Sequence, residues 1–281
     1  MIKSILKGMV IGIANIVPGV SGGTMMVSMG IYDKLIHCIT HLFSEFKKSV
    51  AFLFPIAIGM LAAIAGSAVG LTWLFEHFPI QTNLLFIGLI LGGLPAIWKN
   101  VKGNRLKVGH VIAALLFFGM VVGLAAMGET EGTAADLSFN LVNVLLLFLV
   151  GIVAAATMVI PGVSGSMILL VIGYYNPIVA TIKEFVEALV SFNMPEILRC
   201  CGILIPMGIG IIVGIFVIAK IIEIIFEKFP LQAFWAIIGL IVASPFAILM
   251  VSEIGVITVL AVLTSLVTFA IGFVIAMKLG E

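Results

Sequence analysis

Asn15–Tyr32 reads NIVPGVSGGTMMVSMGIY, and Met158–Tyr175 reads MVIPGVSGSMILLVIGYY. Each copy sets Pro-Gly-Val-Ser-Gly, a helix-breaking turn, between apolar flanks. Proline removes a backbone donor and ends the helix before it, while the glycines permit positive φ and close approach. In hydrocarbon the donors freed by such a break are costly unless protein, water or a ligand meets them. A turn of this kind kept twice points to one site built from two halves.

The composition says what surrounds the turns. With 63% hydrophobic residues, 10% charged residues and a mean hydropathy of +1.36, the chain has too little polar sequence to cover a water-facing surface. Its 281 residues hold several runs of the roughly 20 apolar residues that cross about 30 Å of hydrocarbon. The expected class is an all-α polytopic membrane protein with a single transmembrane domain, 1–281. A net charge of +1 excludes a basic nucleic-acid-binding protein. Lys3 and Lys7 before an apolar run imitate a signal peptide. No small-residue cleavage site follows, so the N-terminus is expected to be retained.

The duplication extends outward from the turns. Pro18 returns as Pro161 and Tyr32 as Tyr175, an offset of 143. LFEHFPIQTNLLFIGLI (Leu74–Ile90) then returns as IFEKFPLQAFWAIIGLI (Ile225–Ile241), an offset of 151. The second copy therefore carries an insertion of eight residues (151 minus 143) between Tyr175 and Pro206. Repeat one covers about 1–130 and repeat two about 139–281, a common basis for transporter folds.

The Lys and Arg distribution predicts the topology. Lys3, Lys7, Lys34, Lys47 and Lys48, and the basic loop Lys99–Lys107, are expected inside. The Glu76–Pro79 link and the loop holding Glu129, Glu131 and Asp136 are expected outside. Ile5–Ile31 then enters and leaves by one face, as a re-entrant hairpin. Spans follow at Ala51–Phe75, Thr82–Trp98 and Val108–Met127. Repeat two starts from the opposite face with a hairpin across Leu141–Tyr175 and spans at Ile203–Phe226, Leu231–Leu249 and Gly255–Met277. An odd number of crossings per repeat makes the repeats inverted, with both termini cytoplasmic. Leu141–Ile160 is long enough to span by itself, which would change the count.

After each hairpin comes a mixed segment, IHCITHLFSEFKKS or IVATIKEFVEALVSF, patterned for an interfacial helix. His37 and His41 stand one turn apart there. Without a carboxylate beside them they read as polar surface, so no metal is expected. Cys38, Cys200 and Cys201 lack metal-ligand spacing and read as packing residues. Lys220 and Glu223, at i and i+3, are expected to neutralise one another inside a span.

Ser21 and Thr24 in copy one, and Ser164 and Ser166 in copy two, stand where the second arm of each hairpin begins. Helix starts with such residues are suited to anions. The alternative reading is that Gly19, Gly22, Gly23, Gly162 and Gly165 only permit close packing. Asn15, answered by Met158, either orients a ligand head group or caps the first arm. Glu76 and Glu227, with Gln81 and Gln232 five residues on, are either hydrated or take up a coupling proton or sodium ion.

The doubled turn, Phe-Glu-x-Phe-Pro and the chain length resemble the bacterial polyprenyl-phosphate translocase family. The resemblance implies flipping of undecaprenyl phosphate across the cytoplasmic membrane, for recycling in cell-envelope synthesis, by alternating access. It places the phosphate at Pro18, Gly19, Ser21, Gly22, Gly23 and Thr24, and at Pro161, Gly162, Ser164, Gly165 and Ser166. Copy two departs by having Ser166 for Gly23 and Met167 for Thr24. No cofactor and no catalytic residue are expected, and the oligomeric state is open. The alternatives are an integral-membrane polyprenyl-diphosphate phosphatase, which should need Arg or metal-binding acids at the turns, and a small-anion carrier.

Overall fold

The computed structural model describes residues 1–17, 20–127, 132–252 and 258–280, in which the regular elements are all α-helices. The chain is an all-α polytopic membrane protein. Among the described residues, seven helices are long and apolar enough to cross a bilayer. Two compact units form, one of Met1–Gly128, Ile160–Val163 and Ala219–Glu281, the other of Glu129–Val159 and Ser164–Ile218.

In the first unit α1 (Ile2–Ile16) and α2 (Gly22–Ser28) flank the first turn. At 15 and seven residues they measure about 22 and 10 Å, so neither alone crosses about 30 Å of hydrocarbon. The chain leaves α2 through Gly30, at φ 63°, and enters α3 (Tyr32–Thr40). α4 (Phe46–His77) runs along α1 in the same direction, with Gly8 against Ile56 and Gly12 against Met60. A Cβ added to Gly8 would fall on the Ile56 carbonyl, and one on Gly59 on the Ile5 carbonyl. The two backbones therefore touch, as small residues allow between membrane helices.

The expected span Thr82–Trp98 lies within Pro79–Val101, one of the seven, which a turn divides into two helices. It is α5 (Pro79–Leu91) and α6 (Leu94–Val101), broken at Gly92–Gly93. Pro95 has no N–H for the Leu91 carbonyl. The Ser28 hydroxyl donates to the Leu89 carbonyl at 2.6 Å and reaches that of Ile90 at 3.3 Å. A Cβ on Gly93 would collide with Ser28, so this substitute for the helix ladder requires glycine.

α7 (Val108–Met127), α12 (Pro230–Val251) and α13 (Val259–Gly280) complete this unit with the end of α11 (Met194–Lys228). α7 packs on α12, with Gly239 against the Ala114 carbonyl, and α13 packs on α5, with Gly88 against the Phe269 carbonyl. Gly88 and Gly239 are equivalent at the 151 offset. The helix that closes each copy thus packs on the other copy. Phe86, Ile90, Ile241 and Ile248 are buried between these helices, whereas Leu115, Leu116, Leu263 and Leu266 are exposed, as suits a lipid-facing surface.

In the second unit α8 (Leu141–Val159), α9 (Gly165–Val171) and α10 (Tyr175–Val190) accompany the rest of α11. Gly151 lies against the Met207 carbonyl and Gly210 against that of Phe148, which repeats the Gly8 and Gly59 contacts. Leu147, Val150 and Ala154 pack with Ile178, Ile203 and Met207. At 19 residues and about 28 Å, α8 is longer than α1 and has the length of a span. α9 bends by 108° into α10 near Gly173, at φ 78°. Gly132 and Ala135 donate their N–H groups to the carbonyls of Leu170 (3.1 Å) and Gly173 (3.0 Å), which meets acceptors left at the end of α9. The insertion in copy two is absorbed by α10, at 16 residues against nine in α3.

Candidate functional site

Each second arm starts at the serine of its turn. Ser21 precedes α2 at φ −103° and ψ 132°, and Ser164 precedes α9 at φ −87° and ψ 121°, both extended. Neither hydroxyl turns back to cap its own helix. Ser21 is 8% exposed, and the Ser164 and Ser166 hydroxyls lie 3.0 Å apart. With seven residues each, α2 and α9 carry little macrodipole. They present the first-turn N–H donors that any helix start leaves unmade.

The Pro161–Gly162 turn is seated on the start of α2. Gly162 donates its N–H to the buried Thr24 hydroxyl at 2.8 Å, and a Cβ on Gly23 would stand 3.1 Å from the Pro161 Cα. Gly162 is at φ 80°, and a Cβ there would meet Val121 and Leu240. Glycine is required twice here, for the dihedral angle and for the approach. The junction combines polar groups from a turn with an apolar wall from α7 and α12.

A polar side chain from the end of each first arm abuts the first glycine of the second. Asn15, which is exposed, stands against Gly22, and its amide reaches Met60 Sδ at 3.6 Å. In the other copy a Cβ on Gly165 would meet Thr157 Oγ1 at 2.7 Å. Thr157 donates to the Ala154 carbonyl at 2.7 Å. The sequence pairing matched Asn15 with Met158 and so missed Thr157, one residue earlier. A search for the last polar residue of each first arm would have found it.

Pro18 and Gly19 lie outside the described residues, as do Glu129 and Glu131 of the acidic loop. Of the four candidates for coupling, Glu76 is exposed at the end of α4 and Gln232 is exposed near the start of α12. The Gln81 amide donates to Thr264 at 3.0 Å, and the Thr268 hydroxyl donates to the Gln81 carbonyl at 2.8 Å. Glu227 lines a cavity with Asp33, His37 and Glu223. The structure therefore does not gather these four around the turns by any described hydrogen bond.

His37 and His41 do have a carboxylate beside them, contrary to the sequence expectation. Glu223 Oε1 lies 3.3 Å from His41 Nδ1 and 3.7 Å from His37 Nδ1, and accepts the Thr40 hydroxyl at 2.9 Å. Glu223 Oε2 accepts Lys220 Nζ at 2.5 Å, the neutralising pair that the spacing predicts. Glu223 lies 182 residues from His41 (223 minus 41), and no local pattern connects them.

Residues 11–258 match a family described as undecaprenyl phosphate translocase-like. A polyprenyl-phosphate transporter of Staphylococcus aureus is 33% identical over 283 residues, covering 99% of this chain and 95% of that protein. Another, from Vibrio cholerae, is 32% identical over 199 residues, covering 66% and 61%. No solved structure matches the chain.

Proposed function

This chain belongs to the undecaprenyl phosphate translocase-like family, and on that premise we propose that it transports a polyprenyl phosphate across its membrane. The substrate class follows from the family and from the two relatives named as polyprenyl-phosphate transporters. The observation that carries the site is the Thr24–Gly162 junction, because it brings the second turn onto the first helix start. The head group binds there, against Asn15, Ser21 and the first-turn N–H groups of α2, while the isoprenoid tail remains in lipid. Ser164 and Ser166 are a second set of donors, to be tested by themselves. Each hydrogen bond to a charged phosphate contributes about 1.5 to 3 kcal/mol, enough in sum to replace much of its hydration.

Transport rather than cleavage is favoured by the residues of the turns. Residues 15–24 and 158–166 contain no Arg, Lys, His, Asp or Glu. Diphosphate cleavage needs such groups to stabilise developing charge. Uncharged donors hold a phosphate and release it.

The fuller reading is recycling of undecaprenyl phosphate in the bacterial cytoplasmic membrane from the outer to the inner leaflet. Two inverted repeats, about 1–130 and 139–281, provide alternating access, with cytoplasmic termini. A proton or sodium ion is coupled at Glu76 or Glu227.

Purified protein in liposomes with labelled polyprenyl phosphate tests the proposal. The intact protein is expected to move the head group between leaflets. Ser21→Ala and Asn15→Ala are each expected to slow it about tenfold, the loss of one bond to a charged group. Absence of movement under every ion gradient would overturn the function. Unchanged rates in the combined Ser21 and Asn15 alanine variant would overturn the site.

A further inference from the structure

We propose that His37, His41 and Glu223 bind one divalent transition-metal ion of the zinc type, at a site that shares no residue with the phosphate turns. His37 in α3 and His41, the residue that caps its C-terminal end, lie one turn apart with stacked rings, centroids 4.2 Å apart, so both imidazoles face the same way. The end of α11 supplies Glu223, which is 8% exposed. The three ligand atoms lie within 4.8 Å of one another. For zinc bonds of about 2.0 to 2.1 Å, tetrahedral ligands stand about 3.3 Å apart. The His41–Glu223 separation of 3.3 Å already has that value, and the His37–Glu223 separation of 3.7 Å exceeds it only slightly. Two imidazoles and one carboxylate are a borderline donor set that suits zinc over calcium or magnesium.

The surroundings fix the carboxylate. Thr40 donates to Oε1 and Lys220 to Oε2, which leaves Oε1 as the oxygen facing the histidines. His41 Nδ1, 3.2 Å from the His37 carbonyl and 3.0 Å from the Thr40 hydroxyl, would exchange these contacts for the ion. A cavity of about 310 Å3, lined by Asp33, Ile36, His37, Glu223, Phe226 and Glu227, adjoins the ligands. It leaves room for a fourth, exchangeable ligand such as water. The carboxylates of Asp33 and Glu227 offset the Lys220 charge and draw cations to the cavity. A bound ion would tie α3, the helix after the first hairpin, to the end of α11.

The test uses the full-length protein in detergent, stripped by a chelator and titrated calorimetrically with zinc chloride. One ion per chain is expected, with a metal-dependent rise in melting temperature. His37→Ala and His41→Ala are each expected to weaken binding at least tenfold. Cobalt chloride added to the unaltered protein is expected to give the intense visible absorption of a tetrahedral site, a readout independent of how the variants fold. No stoichiometric zinc binding by the intact protein would overturn the site, leaving a Lys–Glu ion pair beside two imidazoles. So would undiminished binding by the doubly substituted histidine variant.

Discussion

The Gly162 N–H donates to the Thr24 hydroxyl at 2.8 Å, across 138 residues of sequence. Thr24 is 1% exposed, so this hydroxyl meets a turn donor that water does not reach easily. Thr24→Val keeps the shape and removes the acceptor. It is expected to lower stability by about 1 to 3 kcal/mol, the cost of a buried donor left unmet, while Thr24→Ser retains most of the bond. Thermal unfolding of both variants in the same detergent checks this, and equal melting temperatures would contradict it.

Gly22 and Gly23 are adjacent but should respond differently to alanine. At Gly23 the new Cβ presses on the Pro161 backbone, which cannot yield without moving the turn. At Gly22 it meets the Asn15 side chain, which can rotate away. Gly23→Ala is expected to slow transport more than Gly22→Ala. Adding Asn15→Ala should relieve the effect of Gly22→Ala on stability, by a coupling of about 0.5 to 3 kcal/mol in a double-mutant cycle. Additive effects would place Asn15 elsewhere.

Gly59 and Gly66 both lie within α4. A Cβ on Gly59 meets the Ile5 backbone, whereas one on Gly66 meets nothing within 4 Å. Gly59→Ala is expected to separate α1 from α4 and lower the melting temperature. Gly66→Ala should be neutral or stabilising by up to about 1 kcal/mol, from helix propensity. A reversed order in thermal scans would refute the packing account.

Asp136, in the loop before α8, accepts the Ser138 N–H at 2.8 Å and its hydroxyl at 2.7 Å. These bonds hold its carboxyl below the ordinary aspartate range. A carboxyl lowered by folding adds stability above its unfolded pKa and loses it as pH falls through the folded value. Ser138→Ala removes the hydroxyl bond but keeps the larger backbone one, so it should raise the Asp136 pKa only part of the way back to the ordinary aspartate range. Carboxyl-carbon NMR titration would show this, and an unmoved midpoint would mean that the Ser138 hydroxyl bond does not form in solution.

The elements most legible in sequence were those fixed by local chemistry. Apolar runs located the spans, and the doubled Pro-Gly pairs located the breaks between α1 and α2 and between α8 and α9. The mixed segment of copy two became α10 because its apolar spacing is local as well, whereas that of copy one is divided, with Ile36–Thr40 ending α3 and Phe46–Ser49 opening α4. The break at Gly92–Gly93 was missed because half of its cause lies elsewhere, in the Ser28 hydroxyl. Glu223 beside His41, and Thr24 under Gly162, were illegible for the same reason. Partners far apart in sequence are selected by packing, which leaves no periodic trace. Thr157 was a failure of register, since a one-residue shift put its polar group at the place that Asn15 holds in the other copy.

The packing of α13 on α5, and of α7 on α12, bears on how the protein is made. Gly88 emerges from the ribosome 181 residues before Phe269, whose carbonyl it abuts (269 minus 88). At translation rates of about 5 to 20 residues per second, α5 waits on the order of ten to forty seconds for its partner. During that interval its contact face is open to lipid, insertion factors and membrane proteases. Products truncated before α13 should therefore be degraded rather than accumulate as half-proteins, which makes completion of synthesis itself the step that secures the fold.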